Sequence, residues 1–292
     1  MTKTIHHYMR FAATLLTASL LLTATSAAHA QAIAMVTDAT GKAVLLGGAN
    51  PVPVAILAEI TAAARVQLDA GARVTVLLLQ SADEYILEGP SLVSFAAREP
   101  VALSGNAPQK RTVTPARAGD VRIPRGAIAQ AAFVMRSARG TSRIKLLNLH
   151  NTRSLAPDPE FRWESGEADA RYTFELSDDA GKSLYQTEIN ATTLRLPANV
   201  QLRDGAGYTW EVSMRLNDGR RYISYGDFTI ASGDLRARVA ASRPAADAPV
   251  SDRVVFAVWL EQMELRDEAR SYWRTLAQER PADAELKRLA GE

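Results

Sequence analysis

The chain has 292 residues, with 34 Lys and Arg against 32 Asp and Glu, four histidines and no cysteine. The absence of cysteine excludes disulfides and cysteine-ligated zinc, so the fold must be held together by burial alone. A net charge of +2 lacks the basic excess of a nucleic-acid-binding protein, and we expect no nucleic-acid partner.

Residues 1–30 have the pattern of a secretory signal peptide. Lys3 and Arg10 make a basic start, residues 11–22 form an apolar run, and small side chains precede a cleavage site after Ala30. We expect cleavage there, which leaves a periplasmic or secreted mature chain with no transmembrane span. An uncleaved membrane anchor is the alternative, although the apolar run is short for a span.

Cleavage would remove three of the four histidines and leave only His150. One histidine and no cysteine are too few ligands for a zinc site. His150 lies in LLNLHNTRS with no nucleophile motif beside it, which favours a loop or strand-edge role over catalysis. We therefore predict no enzyme, no catalytic residues, no metal and no cofactor. An enzyme would have to use carboxylates, such as Glu84 with Glu88 or Glu164 with Glu167.

Residues 32–105 have the pattern of short strands. Turn residues at Asp38–Gly41 and Asp69–Gly71 separate apolar runs and predict two β-hairpins. Residues 74–79 (VTVLLL) form a nearly continuous apolar run, which indicates a strand buried on both faces.

Part of this region resembles the FecR domain. The stretches that carry the resemblance are Gly71–Leu78, Tyr85–Leu87 and Gly89–Phe95. They match a glycine turn with an alternating valine strand, a strand ending in Leu, and a G/P-x-S-x-L-x-F strand. The resemblance covers residues 65–97 closely and 33–64 loosely.

This resemblance implies a small β-rich extracytoplasmic module over residues 31–142, without an active site. The turn Ser81–Glu84 departs from the Asp-Gly-Ser type that is usual in the family. The better-known members are membrane-spanning regulators with a cytoplasmic anti-sigma segment. No residues ahead of the signal peptide could form that segment, so we do not expect the regulatory role.

Residues 106–142 have no clear pattern. Pro108, Pro115 and Pro124 exclude a long helix. Residues 127–136 fit a strand or a short helix, and we favour a strand that closes the first module.

The same region is strongly basic. Residues 108–145 contain nine basic residues and one acid, Asp120. A solvated linker and strand edge is one interpretation, and a docking face for an anionic cell-wall polymer or an acidic partner is the other. The candidate docking residues are Arg117, Arg122, Arg125, Arg136 and Arg139.

Residues 143–232 resemble a fibronectin type III or immunoglobulin-like β-sandwich. Strands with clean alternation, as at 172–176 and 208–212, are separated by regularly spaced turns. The phase of the alternation predicts that Trp163 and Trp210 lie in the core rather than on a sugar-binding surface.

Two further features of the sandwich can be read from the sequence. The spacing Leu202-x-x-Gly205-x-x-Tyr208 is similar to a tyrosine corner, in which the tyrosine hydroxyl bonds upstream backbone. The more plausible surface aromatic residues are Tyr185, Tyr222 and Tyr225.

Residues 233–249 are predicted to be a linker, flexible or partly helical, and residues 250–292 change to a helical period. A first helix is predicted after an N-cap at Ser251, and two more follow, separated by Pro281. The segment resembles one tetratricopeptide unit through Ala269, Trp273 and Pro281. It departs from the repeat at Ala257, where a Gly is usual, and at Leu260, where a Tyr is usual.

A single tetratricopeptide unit buries too little apolar surface on its own. Its apolar face must cover the rest of the chain, meet another subunit or receive a partner helix, and the sequence leaves these alternatives open. We identify Trp259 and Trp273 as candidate docking residues on this face.

Together these patterns predict a mainly β fold: a FecR-like module, a sandwich and a short C-terminal helical hairpin. The function expected of such a chain is that of an exported, non-enzymatic binding or adaptor protein of a bacterial-type cell envelope. Its partner would be an envelope protein, in a sensing or signalling system. The alternative is a binder of peptidoglycan or surface polysaccharide through the basic face at 108–145.

Overall fold

A computed structural model describes residues 32–48, 50–96, 99–111, 143–167, 170–216 and 218–291. The signal peptide and the strand predicted at 127–136 lie outside these ranges. The described residues from Ala32 onward belong to one compact unit. The prediction of a mainly β fold with a short helical region at the C-terminus is confirmed.

The first module consists of two antiparallel sheets. Sheet 1 has the strand order β10-β7-β6-β1-β4, and sheet 2 has the order β3-β2-β5-β8-β9. The described strands are β1 (Ala32–Thr40), β2 (Ala43–Leu46), β3 (Val52–Pro53), β4 (Glu59–Thr61), β5 (Arg65–Leu68), β6 (Arg73–Leu78), β7 (Glu84–Glu88), β8 (Ser91–Phe95), β9 (Pro100–Gly105) and β10 (Gln109–Arg111).

The two hairpins predicted in this module are wrong. The turns at Asp38–Gly41 and Asp69–Gly71 reverse the chain, but each leads from a strand of one sheet to a strand of the other. The turns pack against each other so closely that a Cβ on Gly41 would lie 2.7 Å from the Cα of Ala72. Turn chemistry thus predicted the reversal but not the partner strand.

Strand β6 is buried on both faces, as its apolar run predicts. Val74, Val76 and Leu78 point into the first core, which lies between sheets 1 and 2. Leu77 points the other way, into a core formed mainly by helices. Continuous apolar runs are typical of parallel sheets, whose two faces are both covered. Here the sheet is antiparallel, and helices cover its second face.

The second module is a β-sandwich, as expected. Sheet 3 has the order β11-β13-β16, and sheet 4 has the order β12-β18-β17-β14-β15. The described strands are β11 (Ile144–Leu146), β12 (Thr152–Ser154), β13 (Glu160–Ser165), β14 (Tyr172–Asp178), β15 (Ser183–Ile189), β16 (Thr193–Arg195), β17 (Gly207–Arg215) and β18 (Arg221–Ile230).

The sandwich core is aromatic. Trp163 and Trp210 are buried there as predicted, with Phe161 edge-on to Trp210 at a ring-centroid distance of 5.2 Å. The tyrosine corner is also confirmed: the backbone N–H of Arg203 donates to the Tyr208 hydroxyl at 2.8 Å.

Four helices complete the described chain: α1 (Gly233–Ser242), α2 (Val250–Gln262), α3 (Arg266–Glu279) and α4 (Ala284–Ala290). Much of the predicted linker is therefore helix α1, capped by the Ser232 hydroxyl, which accepts from the N–H of Leu235 at 3.3 Å. The predicted N-cap at Ser251 is wrong, because α2 already begins at Val250 and Ser251 is buried in its first turn. None of the described helices is long and apolar enough to span a membrane.

Helix α2 is buried on nearly every side from Val254 to Leu260. Such a helix lies inside a structure rather than on its surface. It packs between β1 and α3, and the core around it, here called the helical core, also takes Met35 and Ile56 from the first module and Leu235 from α1. The helical segment therefore shares one core with the first module.

Candidate functional site

The structure corrects the docking role predicted for Trp259 and Trp273. Both indoles are fully buried in the helical core. Trp259 packs against Phe256 at a ring-centroid distance of 5.6 Å, and Trp273 lies on the inner face of α3. These side chains are occupied by packing within the chain, so they cannot present a surface to a partner.

The wider apolar face of the helical segment is occupied as well. Helix α2 covers sheet 1, α3 packs against β12 of the sandwich, and α4 buries Leu286 and Leu289 against α3. Of the three alternatives for this face, the structure shows packing within the chain. The segment joins the two β modules.

The basic stretch at 108–145 is described only at its two ends. The five candidate docking residues Arg117, Arg122, Arg125, Arg136 and Arg139 lie outside the described residues. The four basic residues that are described each form an ion pair with a carboxylate of the chain: Lys110 with Asp83, Arg111 with Glu84 and Asp252, Arg143 with Glu167, and Lys145 with Glu164. These four therefore belong to intramolecular pairs rather than to a free cationic face.

Arg111 is the centre of a buried polar network. Its guanidinium bridges Glu84 on β7 and Asp252 on α2, and both carboxylates are almost completely buried. Thr37 on β1 donates from its hydroxyl to Glu84 at 3.1 Å. The network thus ties sheet 1 to the start of α2.

Three of the four carboxylates considered for catalysis form ion pairs within the chain. Glu84 is held by Arg111, Glu164 lies 2.8 Å from Lys145, and Glu167 pairs with Arg143. His150 lies exposed in the loop after β11, as its sequence context favours.

That loop forms the joint between the sandwich and the helices. The backbone N–H of Leu149 donates to the Asp267 carboxylate on α3 at 2.8 Å, and its carbonyl accepts from the Trp210 indole at 2.8 Å. On β12, the N–H of Arg153 donates to the carbonyl of Glu264 at 2.7 Å. One short loop therefore connects the sandwich core directly to the α2–α3 turn.

Glu261, at the end of α2, has a strongly shifted pKa. Burial raises the pKa of this carboxyl from its ordinary 4.5 to about 7. The nearby guanidinium groups of Arg266 and Arg270 and the Trp273 indole lower it, and Asp267 raises it further. Glu261 therefore changes its charge near neutral pH.

Glu261→Gln is expected to flatten the pH dependence of stability. Between pH 4.5 and about 7 the folded chain keeps the Glu261 proton that the unfolded chain has released. The stabilisation that this proton gives the folded chain is fully present below pH 4.5. It is lost as the pH rises through about 7, which lowers the free energy of unfolding by about 3 kcal/mol. Urea unfolding at pH 4.5 and pH 8 should show the variant gaining stability over the wild type only at the higher pH; an equal difference at both would contradict this assignment.

A polar pocket of about 330 Å³ lies between the sandwich and the α2–α3 turn. Its carboxylates are Asp179, Asp227 and Glu264. Asp227 accepts from the Thr209 hydroxyl at 2.7 Å, and Glu264 lies 2.9 Å from Arg153. Among the described residues, no group of three His, Cys, Asp or Glu is arranged to hold a metal ion.

The surface feature that stands out on the sandwich is an exposed apolar pair on β18, here called the Tyr225 patch: Ile223 and Tyr225. Tyr225 is 64% exposed and Ile223 is 45% exposed. They point outward from sheet 4, opposite Ser213 and Glu211 of β17. Of the three tyrosines predicted at the surface, Tyr225 is exposed, whereas Tyr185 and Tyr222 are partly buried against the sandwich core. Ile223 was missed because a branched apolar residue in a strand is usually assigned to the core.

No family model matches the chain, and comparison with curated proteins finds no match. Among solved structures, CopC from Methylosinus trichosporium OB3b is similar, at 19% identity, to 31% of this chain and 95% of its own, with a TM-score of 0.24. A TM-score this low supports no inference about function. The resemblances to FecR domains and tetratricopeptide units stay predictions from the sequence.

Proposed function

We propose that the chain is an exported, non-enzymatic binding protein of a bacterial-type cell envelope, which acts as an adaptor through contacts with another envelope protein. The signal-peptide pattern supports the location, and the resemblance to FecR-type and fibronectin-type modules supports a binding role. The observation that carries the proposal is the Tyr225 patch, an exposed aromatic and aliphatic pair on a regular sheet.

The patch has the composition of an interface centre. Tyrosine combines a large apolar ring with a polar hydroxyl and loses little conformational entropy on binding, so it is enriched where binding energy concentrates. The neighbours of the patch are polar: Ser213, and Glu211, which lies 3.2 Å from Arg221. An apolar centre with a polar rim is the arrangement found in protein–protein interfaces.

The strand pair that carries the patch is continuously paired along its length. Each outward residue of β18 from Arg221 to Asp227 has a direct partner on β17, and the inward residues Trp210 and Val212 of β17 are fully buried. The exposed pair is therefore held in place without a partner, which lowers the entropic cost of binding.

Photocross-linking in the intact envelope tests the proposal. A benzophenone amino acid replacing Tyr225 should give one discrete cross-linked envelope protein, and adding Ile223→Glu should reduce that product by about tenfold, because a charge is placed in the apolar centre. The same photoreactive residue replacing Thr193, an exposed position on β16 of sheet 3, is the control. Equal cross-linking from both positions, or a product that Ile223→Glu leaves unchanged, would contradict the role of the patch.

A binder of peptidoglycan or surface polysaccharide is the second candidate, because an exposed tyrosine on a flat sheet could also stack on a sugar ring. The basic stretch would supply attraction to an anionic polymer. In this case the wild type should pellet with purified cell wall in a salt-sensitive way, and Arg122→Glu with Arg125→Glu should weaken pelleting. Cross-linking to a protein would be absent.

A further inference from the structure

The outer face of sheet 2 is unusually apolar for a sheet surface. The register places Val44 opposite Gln67, Gln67 opposite Leu92, and Arg65 opposite Leu46 and Ser94, so these side chains share one face. Val101 lies opposite Ser94 on the same face and is 49% exposed. The described apolar residues of this outer face are Val44, Leu46, Pro53, Leu92 and Val101.

These residues do not belong to the first core. Leu45, which lies between Val44 and Leu46, packs against that core, and Val66 and Val93 are buried in it. Side chains along a strand alternate between the two faces of a sheet, so Val44, Leu46 and Leu92 point away from the core. An antiparallel sheet with one face in water normally carries polar residues there.

The charge of this face is also unusual. Among the outward residues of its strands, Arg65 is the only charged one, with Gln67, Ser94 and Ser104 as neutral polar neighbours. At the end of the same face, Lys42 and Asp69 neutralise each other in an ion pair at 3.5 Å. Arg65 is the first residue of β5, so its long side chain can reach solvent past the end of the strand. A nearly uncharged apolar face of this kind marks an interaction surface.

The face, rather than the edge of the sheet, is the available surface. The edge strand β9 begins at Pro100 and contains a bulge at Leu103, which is 54% exposed. The opposite edge strand β3 has two residues, one of them Pro53. Prolines, bulges and short edge strands are the features that block the addition of another strand.

We propose that the outer face of sheet 2 is a self-association surface, on which a second copy of this chain packs its own sheet 2 face to face. A two-fold interface brings the same patch together from both copies, so it must be compatible with itself. The low charge of this face meets that condition: apolar side chains meet apolar side chains, and no charge repulsion arises apart from the peripheral Arg65. A strongly charged partner would find no opposite charges here to select it.

The size of the face indicates the strength of the association. Strands of two to six residues, at about 3.3 Å per residue and about 4.8 Å apart, give a contact of roughly 300 Å² per copy. This is below the roughly 800 Å² per partner of a stable complex. The dimer should therefore be weak and depend on concentration. This inference does not rest on the Tyr225 patch, which lies on sheet 4.

Sedimentation velocity of the intact protein, from about 5 μM to about 1 mM, tests the inference over the range in which a weak dimer forms. The wild type should show a reversible monomer–dimer equilibrium. Val101→Glu should raise its dimer dissociation constant by at least about tenfold. Ile223→Glu, an equally exposed position on sheet 4, is the matched control and should change it by less than about twofold.

A charge-swap experiment protects this test against misfolding of the variant. Val101→Glu and Val101→Lys copies should each remain monomeric, and mixing them should restore dimers because the two faces now attract each other. A wild type that stays monomeric at about 1 mM would overturn the inference. So would a dimer that Val101→Glu leaves intact or that Ile223→Glu disrupts. A monomeric wild type, or a dimer that Val101→Glu leaves intact, leaves the cross-linking prediction for Tyr225 unchanged.

Discussion

Gly226→Ala is expected to lower the free energy of unfolding by about 3 kcal/mol. Gly226 lies on β18 directly opposite Trp210. A Cβ at this position would lie 2.8 Å from the carbonyl oxygen of Leu149 and 2.8 Å from the Trp210 indole nitrogen. Those two atoms already share a buried hydrogen bond, and an added methyl group would force them apart.

The damage should extend beyond the sandwich. Leu149 has a positive φ of 52°, and its N–H also binds Asp267 on α3, so the loop has little freedom to move. Urea unfolding should show a lower midpoint. Gly207→Ala, on the neighbouring strand, is the control, because its Cβ would meet only the Cβ of Asp179 at 3.9 Å. A Gly226→Ala stability equal to that of Gly207→Ala would show that the joint is not tightly packed.

Arg111→Met should be at least as damaging, with a loss of about 3–5 kcal/mol. Methionine keeps much of the arginine's apolar stem but removes the charge that bridges Glu84 and Asp252. Buried carboxylates are costly when the compensation from their partners is reduced. The loss should appear as a lower free energy of unfolding in urea.

A double-mutant cycle gives the sharper test of this network. Asp252→Asn should recover part of the stability lost in Arg111→Met, with a coupling of about 1–3 kcal/mol. Lys110→Met is the matched control, because the adjacent Lys110 forms an exposed ion pair with Asp83 at 2.7 Å, and its loss should fall within measurement error. Additive effects of the Arg111 and Asp252 substitutions would show that the bridge is not a structural element.

The sandwich could be predicted well because its signals are local. Alternation over single strands placed Trp163 and Trp210 inside, and a seven-residue spacing identified the tyrosine corner. Each of these features depends on residues close together in the sequence, where the period of a strand fixes the direction of a side chain.

The first module was predicted less completely because sheet pairing is not a local property. The turns at Asp38–Gly41 and Asp69–Gly71 have the residues of hairpin turns, but tertiary packing directs the strands on either side into different sheets. The Arg111 bridge could not be predicted at all, since Arg111 and Asp252 are 141 residues apart.

The role of the helical segment likewise depends on packing that is not local in the sequence. Helical periodicity predicted helices near α2, α3 and α4 and their apolar residues, including Trp259 and Trp273. It could not show what covers those residues. Because periodicity defines a face without its partner, a docking surface and an internal core look alike in the sequence.

The central claim is that the helical segment and the β modules form one cooperative structure rather than a scaffold with a separate docking arm. Native-state hydrogen exchange of the intact protein tests this most directly. The amides of α2, β1 and β6 should exchange with the same opening free energy, and Arg111→Met should lower all three together. If the α2 amides exchanged through a lower-energy opening while β1 and β6 stayed protected, the helices would be a separable unit and the claim would be contradicted.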